Sequence, residues 1–301
     1  MKFPDTVPAS QQSVYDQYSP AFRRIAGPPG EDPAVYPLLF SIAATLFESS
    51  RQGPVTFSVA GSQGSGKTTM SRLLVSLLAD CFGARACMLS LDDFYLGKQD
   101  RLRLAREVHP MLATRGVPGT HDAAGMEAVL GQLVAGQQVE IPVFDKAADD
   151  RSDEIRLAGP VDVVICEGWC WGCLPEPAAR LNRPVNALEA ENDPAGAWRT
   201  WVNDRLGAYH SLFRTDGSLY YLAPSMDAVF RWRLQQEEAL RATGATGRGV
   251  MDSEAVQRFI GFYERLTRWM METLPARVDV CVALAEDHRI ASVTRADRVQ
   301  L

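Results

Sequence analysis

Val55-Thr-Phe-Ser-Val-Ala-Gly61 runs straight into Ser62-Gln63-Gly64-Ser65-Gly66-Lys67-Thr68. The first part is short, apolar and rich in β-branched residues, the pattern of a buried strand. Residues Gly61 to Thr68 satisfy GxxxxGK[ST] in full, and Lys67–Ala79 continues with helical patterning. Glycines let the backbone wrap closely and present successive N–H groups to phosphate oxygens. The helix opening at Lys67 adds its unpaired N–H groups and the positive end of its dipole. The order strand, loop, helix therefore predicts an ATP site formed by Gly61, Ser62, Gln63, Gly64, Ser65, Gly66, Lys67, Thr68 and Thr69. Lys67 is expected to reach the β- and γ-phosphates, and Thr68 to place its hydroxyl on Mg²⁺.

Outward from this loop, Ala86–Leu91, Val161–Cys166, Leu219–Leu222 and Val278–Leu284 read as apolar strands, and Val139–Phe144 as strand-like. Gln11–Arg24, Asp32–Ser50, Gly125–Ala135, Asp193–Leu212, Ala228–Ala242 and Ser253–Leu274 read as helical. Strands joined by helix-containing connections predict an α/β fold of the P-loop type, a mostly parallel sheet flanked by helices. Residues 1–30 contain Pro and Ser and read as a surface arm, with 31–301 as a single domain. Gly97–Gly125, Ala147–Gly159 and Gly168–Pro194 lack strong patterning. Long stretches of this kind in a compact protein are commonly functional, so acceptor-binding insertions are expected at about 97–159 and 168–195.

A hydrophobic fraction of 46% with 23% charged residues suits a globular chain with a sizeable core. The formal net charge of -6 gives no reason to expect nucleic acid or an anionic membrane surface as partner. No run is apolar enough to span a bilayer, and the N-terminus lacks a signal core. Six cysteines are too sparse for a disulfide scaffold. Cys170 and Cys173 have the spacing of half a zinc site but no second pair to complete it. These features point to the cytoplasm, and with no obvious dimer helix a monomer is expected.

Ligands of open α/β sheets sit outside the carboxyl ends of the strands, and two predicted strand ends are acidic. Glu167 follows the run VDVVIC and can coordinate Mg²⁺ directly or through water; a helix cap or an ion pair is the alternative. Asp92 is placed to accept a proton from an incoming hydroxyl, with Asp93 as the rival base or a substrate contact. Tyr95 reads as a wall of the acceptor pocket or as core. Arg231 and Arg233, followed by Arg241, Arg248 and the Gly-rich ATGATGRG, suggest a lid at about 229–250 whose guanidinium forks bind phosphate. His121 and Asp122 follow the turn Val117-Pro118-Gly119-Thr120 and suit a substrate hydroxyl or carboxylate, while Asp122 can equally cap the next helix. Lys146 suits a carboxylate-bearing acceptor, and Asp145 either holds a hydroxyl or orients Lys146. Trp169 lines the acceptor pocket or packs in the core.

The stretches GSQGSGKTT (61–69), LSLDDFYL (89–96), RGVPGTHD (115–122), IPVFDKA (141–147), VVICEGWCWG (163–172) and VFRWRLQQE (229–237) together resemble the D-glycerate 3-kinase family of the plant type, with its bacterial and fungal relatives. That family lies within the wider group of phosphoribulokinase, uridine kinase and pantothenate kinase. The resemblance implies Asp92 as catalytic base, Glu167 as an aid to Mg²⁺, and Arg231 and Arg233 as clamps on the transferring phosphates. It also implies glycerate as the small-molecule acceptor. A nucleoside, pantothenate or a sugar phosphate is the alternative within the same group, and an ATP-driven switch is the alternative outside it.

Overall fold

The computed structural model describes residues 1–26, 32–242 and 251–296. In chain order the strands are β1 (Val55–Gly61), β2 (Ala86–Ser90), β3 (Val139–Asp145), β4 (Asp150–Ala158), β5 (Val163–Gly168), β6 (Gly217–Leu222), β7 (Val280–Leu284) and β8 (Ile290–Arg295). Six of them form one sheet in the order β2-β5-β1-β6-β7-β8. Its first five strands are parallel and β8 runs antiparallel to β7. Every residue of β1 and β5 is buried, as a central strand covered on both faces requires.

The edge of the sheet away from the glycine loop is stapled by three aspartates that precede strands. Asp216 accepts from the Thr56 N–H and hydroxyl at 2.8 and 2.9 Å. Asp279 accepts from the Ser218 N–H and hydroxyl, both at 2.8 Å. Asp162 accepts from the Arg85 N–H at 2.8 Å and from its guanidinium. Each staple satisfies a strand-end N–H that would otherwise need water, and each fixes register between neighbours. The glycine loop, Glu167 and Asp92 follow or lie at the opposite, carboxyl ends of β1, β5 and β2.

One face of the sheet is covered by α1 (Gln12–Ala26), α2 (Val35–Ser50) and α3 (Lys67–Phe82). Segment 1–30, expected as a surface arm, is instead partly core: Phe3 and Phe22 are buried, and Phe3 sits 5.4 Å from the Phe57 ring on β1. The Tyr36 hydroxyl donates to the Tyr15 carbonyl at 2.7 Å and holds α1 on α2. Residues 27–30 of that segment lie outside the described residues.

The other face carries α4 (Lys98–Glu107), α5 (Ala123–Val134), α6 (Ala187–Asn192), α7 (Ala197–Arg205) and the C-terminal part of α9 (Ser253–Thr273). By contrast, α8 (Met226–Ala242) packs Ala228, Val229 and Trp232 into the core of the first face and reaches over the glycine loop. The 168–195 region is anchored by Arg265 of α9, which donates to both Glu189 oxygens at 2.8 and 2.7 Å and to the Arg183 carbonyl at 2.6 Å. The expected helix 193–212 is shorter, since Gly196 in the left-handed region starts α7 and a 3-10 turn, Leu206–Tyr209, follows it.

Two strands depart from the sequence reading. Residues 147–159, read as irregular, contain β4, and β3 pairs with β4 as a separate antiparallel ribbon rather than joining the main sheet. Beyond the last predicted strand, β8 adds an antiparallel edge.

Candidate active site

The loop after β1 is built to receive an anion. Gly64 and Gly66 have φ of +79° and +82°, a region that costs a residue with a Cβ. The α3 N-terminus has no side-chain cap, so its first N–H groups face the loop without a partner from that source. The Ser62 and Ser65 hydroxyls are buried and have no hydrogen-bond partner. Unpaired donors in a glycine cradle at a helix N-terminus fit a polyphosphate.

Thr68, the second residue of α3, donates its hydroxyl to Glu167 Oε2 at 2.6 Å. Glu167 is buried at the end of β5, in register with Val59 of β1. A hydroxyl and a carboxylate converging beside a phosphate cradle form an oxygen pair suited to a hard divalent cation.

Asp92 lies in the 3-10 turn Leu91–Phe94 that continues from β2. Its carboxylate accepts from Lys146 Nζ at 2.6 Å and from the Tyr95 hydroxyl at 2.7 Å. Burial pushes this carboxyl up, but the charges of Lys146 and Lys67, with those two hydrogen bonds, hold it below the usual carboxylate range. The sheet thus brings Lys67 and Asp92, which are 25 residues apart in the numbering, to one electrostatic site. Asp93 turns away to Arg156 of β4, at 3.4 Å. Burial and the Asp92 charge raise its pKa while Arg156 opposes them.

Around Asp92, Tyr95 and His121 form an isolated antiparallel bridge, and their rings stack with centroids 4.7 Å apart. Burial pushes the His121 imidazole down to about 4 against the pull of Asp92, so the ring is neutral. Phe144 of β3 meets Tyr95 edge-on at 5.1 Å. The Arg115 guanidinium lies over both rings, 5.9 Å from Tyr95 and 5.3 Å from Phe144, and pairs with Asp149. Arg151 donates to the Tyr95 carbonyl at 3.0 Å.

Residues 56–175 match the Phosphoribulokinase / Uridine kinase family. Over 238 residues the chain is 33% identical to a Schizosaccharomyces pombe protein named "Uncharacterized kinase mug58", covering 75% of this chain and 84% of that protein. The chain belongs to the phosphoribulokinase/uridine kinase family. Within it, the chain is 29% identical over 238 residues to the chloroplastic D-glycerate 3-kinase of Arabidopsis thaliana, covering 74% of this chain and 49% of that protein. The solved structure of a D-glycerate 3-kinase from Cryptococcus neoformans superposes with a TM-score of 0.71 at 26% identity, over 85% of this chain and 97% of that one.

In this P-loop kinase α8 carries both expected lid arginines. Arg231 pairs with Glu286 at 2.9 Å and is half exposed. Arg233 pairs with Glu237, rests 5.0 Å from the Phe259 ring, and keeps a buried Nε without a partner. Trp232 between them lies against the glycine loop, where a Cβ on Gly64 would come within 2.6 Å of the Trp232 Cβ. His288 stacks on Trp232 at 4.5 Å, and its Nε2 is 2.9 Å from the Gly64 carbonyl. Arg248 and the glycines at 244, 247 and 249 lie outside the described residues. No described helix is long and apolar enough to cross a membrane.

Three candidate residues have local partners. Asp122 caps α5, accepting from the Gly125 N–H at 2.9 Å, and meets Arg151 at 3.4 Å. Asp145 accepts from the N–H groups of Ala147 and Ala148 at 2.7 and 3.1 Å, and so shapes the turn that carries Lys146. Trp169 is buried, donates to the Gly116 carbonyl at 2.7 Å and meets Tyr263 edge-on. Tyr209, Tyr263, Arg156 and Trp232 belong to this neighbourhood and were missed. Trp232 alone has a sequence signal, its place in the stretch 229–237; Arg156 lies in the polar run DRSDEIRLA, which marks no strand.

Proposed function

We propose that this kinase transfers the γ-phosphoryl group of ATP to a hydroxyl of a small carboxylate-bearing metabolite, with D-glycerate as the acceptor and 3-phosphoglycerate as the product. The observation that carries the reading is the contact of Asp92 with Lys146 beside Lys67. A carboxylate suited to receive an alcohol's proton touches an exposed ammonium from the β3–β4 ribbon and feels the charge of the phosphate-loop ammonium.

In this reading Lys67 and the loop N–H groups hold the β- and γ-phosphates, and Thr68 with Glu167 holds Mg²⁺. When bound, Mg²⁺ neutralises charge on the β- and γ-phosphate oxygens. Asp92 orients the acceptor hydroxyl and takes its proton as the new P–O bond forms; its low basicity suits late proton removal from an alcohol. Lys146 leaves Asp92 for the acceptor carboxylate, which frees the base only when an anionic acceptor has arrived. Arg231 and Arg233 exchange their glutamate partners for phosphate oxygens, as guanidinium forks do readily. His121, Tyr95 and Asp93 line the acceptor side, with Trp169, Asp122 and Asp145 supporting the wall. The D-glycerate 3-kinases among the relatives favour this acceptor.

The test is ADP release by purified protein with Mg²⁺ and ATP against D-glycerate, uridine, pantothenate and ribulose 5-phosphate. D-Glycerate should raise the rate well above background hydrolysis. A rate with glycerate no higher than that background would refute the acceptor assignment.

A further inference from the structure

We propose that His121 is a neutral hydrogen-bond donor to an oxygen of the phosphoryl acceptor, and that Tyr209 is the positioning residue that makes it one by fixing its tautomer. The inference rests on the kinase reading above and names the group that recognises the acceptor.

The hydrogen-bond bookkeeping decides the tautomer. The Gly119 N–H donates to the Tyr209 oxygen at 2.9 Å, so that hydroxyl already acts as an acceptor. The same oxygen is 2.9 Å from His121 Nδ1. Tyr209 is buried, and burial pushes its phenol up, so it keeps its proton. A hydroxyl has one proton to give, and His121 Nδ1 is the acceptor within reach. Nδ1 therefore carries the lone pair, and the neutral ring carries its hydrogen on Nε2.

That Nε2–H is buried and has no partner. A buried unsatisfied N–H is costly, and its persistence calls for a ligand that completes it. The ring that bears it is stacked on Tyr95, whose hydroxyl touches Asp92. The donor thus belongs to the pocket where the acceptor hydroxyl must lie. A neutral donor suits this place: it can grip a hydroxyl or carboxylate oxygen without competing with Lys146 for the Asp92 charge. The preferred acceptor class carries a second oxygen beside the reacting hydroxyl, as a hydroxy acid does.

The test begins with the free protein. In ¹⁵N-labelled protein, two-bond proton–nitrogen correlations resolve the imidazoles, and the chain has only 4 His. The signal lost in His121→Asn identifies the residue. His121 should appear as the neutral Nε2–H tautomer, and Tyr209→Phe should convert it to a mixture or to the Nδ1–H form. An imidazolium or an Nδ1–H form at neutral pH in the unaltered protein would overturn the proposal. D-Glycerate, uridine and pantothenate are then added in turn. The acceptor that is phosphorylated should shift the Nε2–H signal, and no shift with any of them would leave His121 a packing residue and sink the donor role. In kinetics, His121→Leu should raise the acceptor KM roughly 10- to 100-fold with the ATP KM unchanged. His121→Gln, which keeps a donor near the Nε2 position, should recover part of that loss. Equal losses in both variants, with thermal melts matching the parent, would also overturn it. A shift with uridine in place of glycerate would refute the acceptor proposed above while upholding the donor.

Discussion

Lys146 from the β3–β4 ribbon and Asp92 from the end of β2 stand 2.6 Å apart, across a gap of 54 positions in the chain. The ammonium is largely exposed while the carboxylate is mostly enclosed, so the lysine is free to leave and the aspartate is not. The pair keeps Asp92 ionised and, while it lasts, occupied.

Replacing Asp92 by Asn should lower kcat by about 10²- to 10⁴-fold, the usual contribution of a positioned general base. The Kd for ATP, measured by calorimetry, should stay within a few-fold of the parent. Near-normal kcat in this variant would move the base elsewhere, with Asp93 first in line.

Lys146→Met carries a pH signature. Burial raises the Asp92 pKa, and Lys146 is the foremost of the charges that outweigh it. A depressed carboxyl contributes stability that is present above its unfolded pKa and is lost as pH falls through the folded one. Removing Lys146 moves the folded value upward, so the acid limb of the kcat/KM profile should shift to higher pH. The acceptor KM should rise as well. An unmoved acid limb in the rate profile would disconnect Lys146 from the base.

The Thr68–Glu167 contact predicts a metal phenotype. Glu167→Gln keeps shape and hydrogen bonding but removes the charge. The Mg²⁺ concentration for half-maximal rate should rise by about 10- to 100-fold. Acceptor KM at saturating Mg²⁺ should change little, and an equal rise in both would argue for general disruption.

Gly64→Ala should harm both folding and nucleotide binding. The new Cβ would sit 2.6 Å from the Trp232 Cβ, on a backbone with φ of +79°. A cost of about 1–3 kcal/mol is expected from the left-handed backbone alone. Differential scanning calorimetry with and without ATP should show a lower Tm and a smaller nucleotide-induced rise. Gly131→Ala on α5, where a Cβ meets nothing within 4 Å, is the matched control.

Much of the site was legible because its residues interrupt simple patterns. The phosphate loop is contiguous, so one stretch of sequence holds nearly the whole device. Asp92 and Glu167 stand out as acids at the ends of apolar strands. β4 was not legible because most of it faces water, with Ile155 and Leu157 exposed, so no buried face imprints alternation on DRSDEIRLA. The burial of Phe3 and Phe22 depends on α2 and β1 being in place, which isolated aromatics in a polar segment do not announce. Tyr209 reaches the site only through folding. It lies 88 positions from His121, and its partners are a backbone N–H and a ring nitrogen that no local motif specifies.

The β3–β4 ribbon is hydrogen-bonded as a unit of its own, outside the main sheet. Lys146, Arg151 and Arg156 all hang from it or from its turn. The glycine loop springs from the main sheet, whereas these three cations sit on a ribbon that is joined to the core by the buried Val139, Ile141 and Phe144 of β3. Under the acceptor role proposed above, changes confined to the roughly twenty consecutive residues of this ribbon should retune which anion is accepted while sparing the grip on the nucleotide.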